Sequence, residues 1–292
     1  MKLVTRRKLC RCCGSRKLEL VVQSAPSPLP SYVEGGPEFG NVANDLFVCT
    51  KCGHIQNTDV IIPGRVYPRA PVSSDPQRDK VLAELARAIL KIGGAGSDAT
   101  LVDIGSGDGS FLAHLKSSVK KVQGIEPSLA AAKAAEAKGI ATLPSLFDAQ
   151  IASKLRRDGC FADVVTVLSV VHLMDNLQAT INCIRYFLKP GGLIVMEAPD
   201  ALSLFEHKKP APAGHGRLSF YSLHEWASAF ERNRMTLIHA ERTGAENGSL
   251  LCFARDHAAA GKADDSVKQL LAAEDKAKLN DPATWRAWAR KA

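Results

Sequence analysis

From residue 100 onward the sequence alternates short runs of β-branched and other apolar residues with amphipathic segments. The short runs are predicted strands, and the segments between them have the apolar spacing of helices. This alternation predicts βαβ units and therefore a mostly parallel α/β sheet with helices on both faces. The predicted strands are residues 101–104, 119–125, 140–143, 163–168 and 193–197, followed by 235–240 and 249–254.

The residues before and after this alternation differ from it in composition and in the spacing of apolar residues. Residues 1 to about 70 lack helical periodicity and are rich in proline and glycine, which predicts a small module built from loops. Asp75 and Pro76 suit the start of a helix that leads into the sheet, and Gly93 with Gly94 ends it. We therefore expect an N-terminal module at 1–72, a sheet domain at 73–258 and a helical tail at 259–292.

The composition excludes several classes of protein. The apolar share of 46% and the charged share of 23% are ordinary for a globular chain, which excludes disordered, collagen-like and coiled-coil proteins. No stretch approaches the ~20 apolar residues of a membrane helix. Residues 1–9 are basic and lead into cysteines rather than into the apolar core of a secretory signal. We expect a cytoplasmic protein without membrane contact, whose net charge of +8 permits an anionic partner.

Two C-x2-C-G turns are separated by 35 residues within the predicted N-terminal module. Clustered cysteines in a reducing compartment are more often metal ligands than disulfide partners. The spacing turns both thiolates of each pair toward one ion, so Cys10, Cys13, Cys49 and Cys52 are predicted to bind one tetrahedral Zn²⁺. Four protein ligands leave no position for substrate, so this zinc is predicted to be structural. Reduced core cysteines are one alternative, and His54 in place of a cysteine is another.

A glycine-rich turn follows the first strand of the predicted sheet, with the pattern D-x-G-x-G-x-G from Asp103 to Gly109. The dinucleotide fingerprint G-x-G-x-x-G has a different spacing. A carboxylate at Asp103 suits a ligand with a cationic amino group, while the helix N-terminus beyond Gly109 attracts a carboxylate. S-adenosylmethionine carries both groups. Glu126 closes the second predicted strand, where it can accept hydrogen bonds from both ribose hydroxyls.

These motifs resemble those of the class I S-adenosylmethionine-dependent methyltransferases, and residues 187–195 resemble the turn before their fifth strand. The resemblance implies a Rossmann-like methyltransferase sheet with S-adenosyl-L-methionine as cofactor. A dinucleotide-binding enzyme and a glycine turn without a ligand are the alternatives. The predicted cofactor-binding residues are Asp103, Gly105, Ser106, Gly107, Gly109 and Glu126.

The chain as a whole is similar to the sugar C-methyltransferase family, which acts on nucleotide-linked deoxy-keto-sugars. In that family a four-cysteine zinc module precedes the methyltransferase domain, and the cysteines of this chain sit in matching places. The match continues at residues 214–223, 247–250, 270–274 and 281–285. Family members carry a Tyr-His-Glu-His run where this chain has residues 214–217 and keeps only His215. They also continue into a further α/β domain, which we do not expect after Ala292.

Three residues are candidates for methyl transfer, which requires an aligned nucleophile and a group that takes its proton. His215 lies in the tract that matches the family's active site and is the candidate base or orienting residue. His172 follows the fourth predicted strand, at the edge where α/β sheets bind ligands. Tyr221 is a candidate for substrate binding. Packing in the core is the alternative for both His172 and Tyr221.

The sequence therefore predicts a methyltransferase that acts on a small molecule, with C-methylation of a nucleotide-linked keto-sugar as the first candidate. Methylation of oxygen or nitrogen in a small metabolite is an alternative, because such acceptors need less help with deprotonation. An RNA methyltransferase would also combine a zinc module with this fold, but the basic N-terminal cluster lacks interleaved aromatic residues. A non-catalytic cofactor-binding protein is the last alternative. Neither the acceptor nor the oligomeric state follows from the sequence.

Overall fold

The computed structural model describes residues 4–28, 41–61, 76–207, 217–245 and 248–291. Its N-terminal module consists of short antiparallel strands, as a sequence rich in helix breakers favours. The first, third, fourth and seventh strands form two-stranded pairs at its periphery, and the others belong to a separate sheet. The strands are β1 (Val4–Arg6), β2 (Leu18–Val22), β3 (Ser27–Pro28), β4 (Asn41–Val42), β5 (Leu46–Cys49), β6 (Ile55–Asn57) and β7 (Asp59–Ile61).

The alternation predicted from residue 100 onward is present. A helix leads into it, and a 3-10 turn (Val171–Leu173) interrupts it after the fourth strand. In chain order the elements are α1 (Pro76–Gly93), β8 (Thr100–Ile104), α2 (Ser110–Ala113), β9 (Lys121–Ile125), α3 (Leu129–Ala137), β10 (Thr142–Leu143), α4 (Ala149–Arg157), β11 (Ala162–Val167), α5 (Leu177–Phe187) and β12 (Leu188–Pro199).

The remaining elements complete the sheet and form the tail. They are α6 (Ala201–Glu206), β13 (Ser219–Phe220), α7 (Leu223–Arg232), β14 (Met235–Thr243), β15 (Ser249–Asp256), α8 (Asp265–Ala277) and α9 (Pro282–Ala289). Most of the helices begin where a side chain accepts a hydrogen bond from a backbone N–H of the first turn, which stabilises that end. The capping residues are Ser128, Asp148, Asn176, Asp200, Ser222, Asp264 and Asp281.

The seven-stranded sheet has the order β10-β9-β8-β11-β12-β15-β14. Neighbouring strands are parallel from β10 to β12, and β15 runs antiparallel to both of its neighbours. This is the mostly parallel methyltransferase sheet that the sequence predicts, and the predicted fold class is confirmed. Because the carboxyl ends of β8, β9, β11 and β12 meet at one edge, residues that follow these strands share a site.

Two apolar clusters cover the two faces of this sheet, because successive residues of a strand point to opposite sides. Leu101 and Val164 belong to the cluster beneath α1 and α2. Their neighbours Val102 and Val165 belong to the other cluster, which packs against α4, α5 and α7. The predicted helices on both faces are therefore present. Among the described residues, no helix has the length and apolar character needed to cross a bilayer.

The N-terminal module is joined to the rest of the chain through β13. This strand pairs antiparallel with β6, so that the second sheet has the order β13-β6-β5-β2. A third apolar cluster combines Leu46 and Val48 of β5 with Leu204, Phe220 and Trp285. Contacts therefore cross both of the domain boundaries expected from the sequence, and the division at residues 72 and 258 stays a prediction.

Candidate active site and metal centre

The glycine-rich turn lies directly after β8. Gly105 and Gly107 have φ angles of +79° and +55°, which side chains larger than glycine rarely adopt. A Cβ on Gly105 would come within 2.7 Å of Val170, whereas a Cβ on Gly107 would meet no described atom within 4 Å. The turn is therefore closed on the Gly105 side and open at Gly107, which leaves room for a ligand. Gly109 precedes α2, close to Ala135.

Asp103 is buried near the end of β8, where it accepts a hydrogen bond from Thr166 Oγ1 at 2.6 Å. Burial raises the pKa of Asp103 to about 7, partly offset by the bond from Thr166. A ligand ammonium beside this carboxylate would stabilise its ionised form. Ser106 Oγ is buried in the same turn and has no hydrogen-bonding partner among the described residues. Both observations fit a polar, cationic ligand such as S-adenosylmethionine.

Glu126 follows β9 and holds the glycine-rich turn in place. Its Oε2 accepts a hydrogen bond from Gly107 N at 2.9 Å, and its Oε1 accepts one from Ser128 N at 2.7 Å. Burial raises the pKa of Glu126, and these two backbone bonds act against that rise. Each carboxylate oxygen retains a second lone pair, so ribose hydroxyls can still donate to both. Glu126 therefore has a structural role that its position in the sequence does not indicate.

A third buried carboxylate, that of Glu197, lies near the ends of β11 and β12. Ser169 Oγ donates to Glu197 Oε2 at 2.8 Å, and Thr243 Oγ1 donates to Glu197 Oε1 at 2.9 Å. Ser169 has a φ of +54°, which is unusual for a residue with a side chain. Strained backbone of this kind clusters at functional sites. Neither Ser169 nor Thr243 is predicted from the sequence, because a left-handed serine and a hydroxyl from a distant strand have no local signal.

The predicted catalytic residues occupy different environments. His172 is buried in the 3-10 turn, where burial and then the charge of Arg217 lower its pKa to about 3, so that it is a weak base there. Tyr221 is fully buried, with its ring centroid 5.3 Å from that of His54 and 4.9 Å from that of Trp226. Burial raises the pKa of Tyr221. His215 lies outside the described residues, and all three roles stay predictions.

The four cysteines of the C-x2-C-G turns come together as the spacing predicts. Their sulfur atoms all lie within 4.8 Å of one another. Cys10 Sγ lies 3.7 Å from Cys52 Sγ, and Cys13 Sγ lies 3.6 Å from Cys49 Sγ. Tetrahedral zinc with Zn–S bonds of about 2.3 Å requires sulfur separations of about 3.8 Å. The residues therefore fit a closed four-cysteine zinc site.

His54 does not act as an alternative ligand in this arrangement. Its ring is fully buried, with Nδ1 2.9 Å from Glu225 Oε2 and Nε2 3.1 Å from Ser219 Oγ. Glu225 lies in α7 and Ser219 in β13, so both nitrogens bond to residues of the sheet domain. His54 therefore links the N-terminal module to the methyltransferase part of the chain.

The sheet order, the glycine-rich turn and the carboxylates at the strand ends define a class I S-adenosylmethionine-dependent methyltransferase domain. The sequence matches the family described as "Methyltransferase domain" over residues 77–240, which is more than half of the chain. The chain therefore belongs to this methyltransferase family. The predicted enzyme class, an S-adenosylmethionine-dependent methyltransferase, is thereby confirmed for this domain. The cofactor-binding roles of Asp103, Glu126 and the glycines stay predictions.

Individual relatives are more distant. The chain is 25% identical over 275 residues to the C-methyltransferase NovU of Streptomyces niveus, covering 91% of this chain and 64% of NovU. It thus spans less than two thirds of the length of that relative. Among solved structures, magnesium protoporphyrin IX methyltransferase (ChlM) of Synechocystis PCC 6803 with bound SAH is 17% identical, with a TM-score of 0.48 and coverage of 65% of this chain and 91% of ChlM.

The N-methyltransferase NodS of Bradyrhizobium japonicum WM9, in complex with S-adenosyl-L-homocysteine, is also similar in structure. It is 17% identical, with a TM-score of 0.46 and coverage of 63% of this chain and 90% of NodS. Neither of these two structures identifies the acceptor.

Proposed function

We propose that this chain transfers the methyl group of S-adenosylmethionine to a small-molecule acceptor. The observation that carries the proposal is the open turn at Gly107 between two buried carboxylates, Asp103 and Glu126. Asp103 would hold the ammonium group and Glu126 the ribose hydroxyls of the cofactor. When bound, S-adenosylmethionine supplies an electrophilic methyl group on a sulfonium.

We further propose that the acceptor is a nucleotide-linked keto-sugar methylated on carbon. Similarity to NovU, a C-methyltransferase, supports carbon as the methylated atom. His215 removes the proton from the carbon beside the carbonyl, and Arg217 stabilises the enolate that forms. The enolate carbon then displaces the sulfur from the methyl group, so that one carbon–carbon bond forms as one carbon–sulfur bond breaks. His172 and Tyr221 are proposed to shape the acceptor side of the site.

We also propose that Cys10, Cys13, Cys49 and Cys52 hold one structural Zn²⁺. Four thiolates fill its tetrahedral shell, so this ion stabilises the N-terminal module and takes no part in methyl transfer. The sulfur separations of 3.6 and 3.7 Å support this proposal.

The test of the reaction is proton exchange in deuterated water. Incubation with a keto-sugar nucleotide should exchange the hydrogen beside the carbonyl, as followed by NMR or mass spectrometry, and His215→Ala should abolish the exchange. Calorimetry with S-adenosylhomocysteine provides the control, because the His215→Ala variant should bind it like the wild type. If a panel of such sugars shows no exchange while cofactor binding is intact, carbon methylation is wrong and an oxygen or nitrogen acceptor is favoured.

A further inference from the structure

A fifth cysteine lies beside the four-cysteine site. Cys12 is buried, and its sulfur belongs to a second group of ligand atoms that includes Cys52 Sγ and a carboxylate oxygen of Glu225. These three atoms lie within 4.8 Å of one another. Two thiolates and a carboxylate form a suitable ligand set for Zn²⁺, and Cys52 is common to both groups.

The carboxylate of Glu225 is fixed through one of its two oxygens. Both hydrogen bonds that it accepts from described residues, from His54 Nδ1 at 2.9 Å and from Ser222 N at 3.1 Å, end on Oε2. Oε1 can therefore coordinate an ion while Oε2 fixes the carboxylate. Ligating carboxylates are commonly hydrogen-bonded in this way by residues behind them.

The second group opens onto a groove with a volume of about 870 Å³. Cys12, Cys52 and Glu225 all line this groove, and so do the basic residues Lys51 and Arg232. A zinc ion with three protein ligands keeps a fourth position for water or another ligand. Here that fourth position would face the groove, where positive side chains favour an anionic ligand.

Charge balance is consistent with two ions at this place. Five thiolates and one carboxylate carry two more negative charges than two Zn²⁺ ions neutralise. The nearby basic residues offset this excess, and Arg232 Nη2 donates to the carbonyl oxygen of Cys12 at 3.3 Å. Basic side chains therefore surround the place proposed for two ions that share one thiolate.

We propose that Cys12, Cys52 and Glu225 form a second zinc site that shares the Cys52 thiolate with the four-cysteine site. Binding of the second ion releases the thiol proton of Cys12 to solvent, and the sulfur becomes a thiolate ligand. The open position binds water or an anionic oxygen ligand, such as phosphate, that enters the groove. The proposal rests on occupancy of the four-cysteine site, and it is independent of the acceptor.

The test is the zinc stoichiometry of the purified full chain after equilibrium dialysis against Zn²⁺. The wild type should bind two ions per chain and the Cys12→Ser variant one, with the N-terminal module still folded. Cys183→Ser, which changes a half-buried cysteine in α5, is the matched control and should still bind two. Saturation of the wild type at one ion, or two ions in Cys12→Ser, would overturn the second site.

The same measurement separates failure of this site from failure of the four-cysteine site. A wild type that binds no zinc would contradict both, whereas one ion that is lost in Cys49→Ser but kept in Cys12→Ser would contradict only the second. Cobalt substitution then tests the open position. Inorganic phosphate should change the visible spectrum of wild type loaded with two Co²⁺ ions and leave that of Cys12→Ser unchanged. An unchanged spectrum in both proteins would contradict the open position.

Discussion

The seven-stranded sheet and the N-terminal module are stabilised in different ways. The sheet buries apolar clusters on both of its faces, mostly against helices of the same domain. The module has strands of two to five residues and shares its apolar cluster with α6, β13 and α9. Short segments of this kind bury little surface by themselves and need a metal or a neighbour. The N-terminal module therefore depends on the rest of the chain for its apolar packing, whereas the sheet has a core of its own.

The strongest way to separate the two regions is to remove a zinc ligand. Cys49→Ser should lose the ion of the four-cysteine site, which in small zinc domains contributes on the order of 10 kcal/mol to folding. Hydrogen exchange measured by mass spectrometry should then show opening of β2, β5 and β6, while β8, β11 and β12 stay protected. Cys183→Ser is the control and should leave both regions unchanged. Opening of the whole chain at once would show that the two regions unfold as one unit.

A smaller loss of stability is expected where α9 packs on the module. Trp285 is buried against Phe205 and donates from Nε1 to Leu279 O at 2.9 Å, so Trp285→Ala should lower the free energy of unfolding by about 3–5 kcal/mol. The neighbouring Arg286 forms an exposed ion pair with Glu19 at 2.9 Å. Arg286→Ala should cost less than about 1 kcal/mol. Urea unfolding measures both values, and equal losses would contradict the dependence of the module on apolar packing.

The edge of the sheet can be tested without disturbing either core. Gly107→Val places a side chain in the open turn and should weaken binding of S-adenosylhomocysteine at least a hundredfold, equivalent to about 2.7 kcal/mol. Gly94→Val is a matched control, because Gly94 has a φ of +61° and equally open surroundings at the end of α1. Both variants should lose similar stability, but only Gly107→Val should lose binding in calorimetry. Equal binding by the two would exclude the turn as the cofactor site.

A further prediction concerns the pH dependence of cofactor binding. Because the pKa of Asp103 is about 7, the carboxylate that would hold the ammonium is increasingly protonated below that pH. Affinity for S-adenosylmethionine should fall up to tenfold per pH unit, about 1.4 kcal/mol, between about pH 7 and 5. Thr166→Val removes a bond that lowers this pKa, so the midpoint should move to higher pH. Affinity that does not change over this range would exclude Asp103 as the ammonium ligand.

The raised pKa of Asp103 also affects the stability of the free protein, but this stability contribution falls with rising pH whereas cofactor affinity increases. The folded pKa of Asp103 lies above its ordinary value of 3.8, so the folded state binds more protons than the unfolded state between these two values. The contribution of Asp103 to stability is therefore present below about pH 4 and is lost as the pH rises through about 7.

Local patterns predicted much of the fold and part of the candidate site. The strand ends that carry Asp103 and Glu126 could be located because apolar runs end there. The C-x2-C-G spacing predicted that the four cysteine sulfur atoms lie close together, as they do. Helix α1 begins at Pro76 and ends at Gly93, as the breakers at its two ends indicate.

Contacts between distant segments could not be predicted in the same way. Arg11 is buried between the module and the sheet domain and pairs with Asp175 at 3.1 Å, although its sequence context resembles a solvated basic cluster. Asp200 closes β12 but caps α6 and pairs with Arg242 at 2.9 Å. A single sequence contains the residues of such contacts but not their partners, because the pairing depends on tertiary structure.

The pairing of β6 with β13 also determines when the N-terminal module can be completed during synthesis. His54 and Ser219, which meet across this junction, lie 165 positions apart along the chain. At about 5–20 residues per second, a ribosome needs roughly 10–30 s to add the missing strand. During that interval the edge of β6 that later pairs with β13 has no partner strand. Unpaired strand edges promote association between nascent chains. The N-terminal module therefore completes its sheet only after most of the sheet domain's sequence up to β13 has been synthesised.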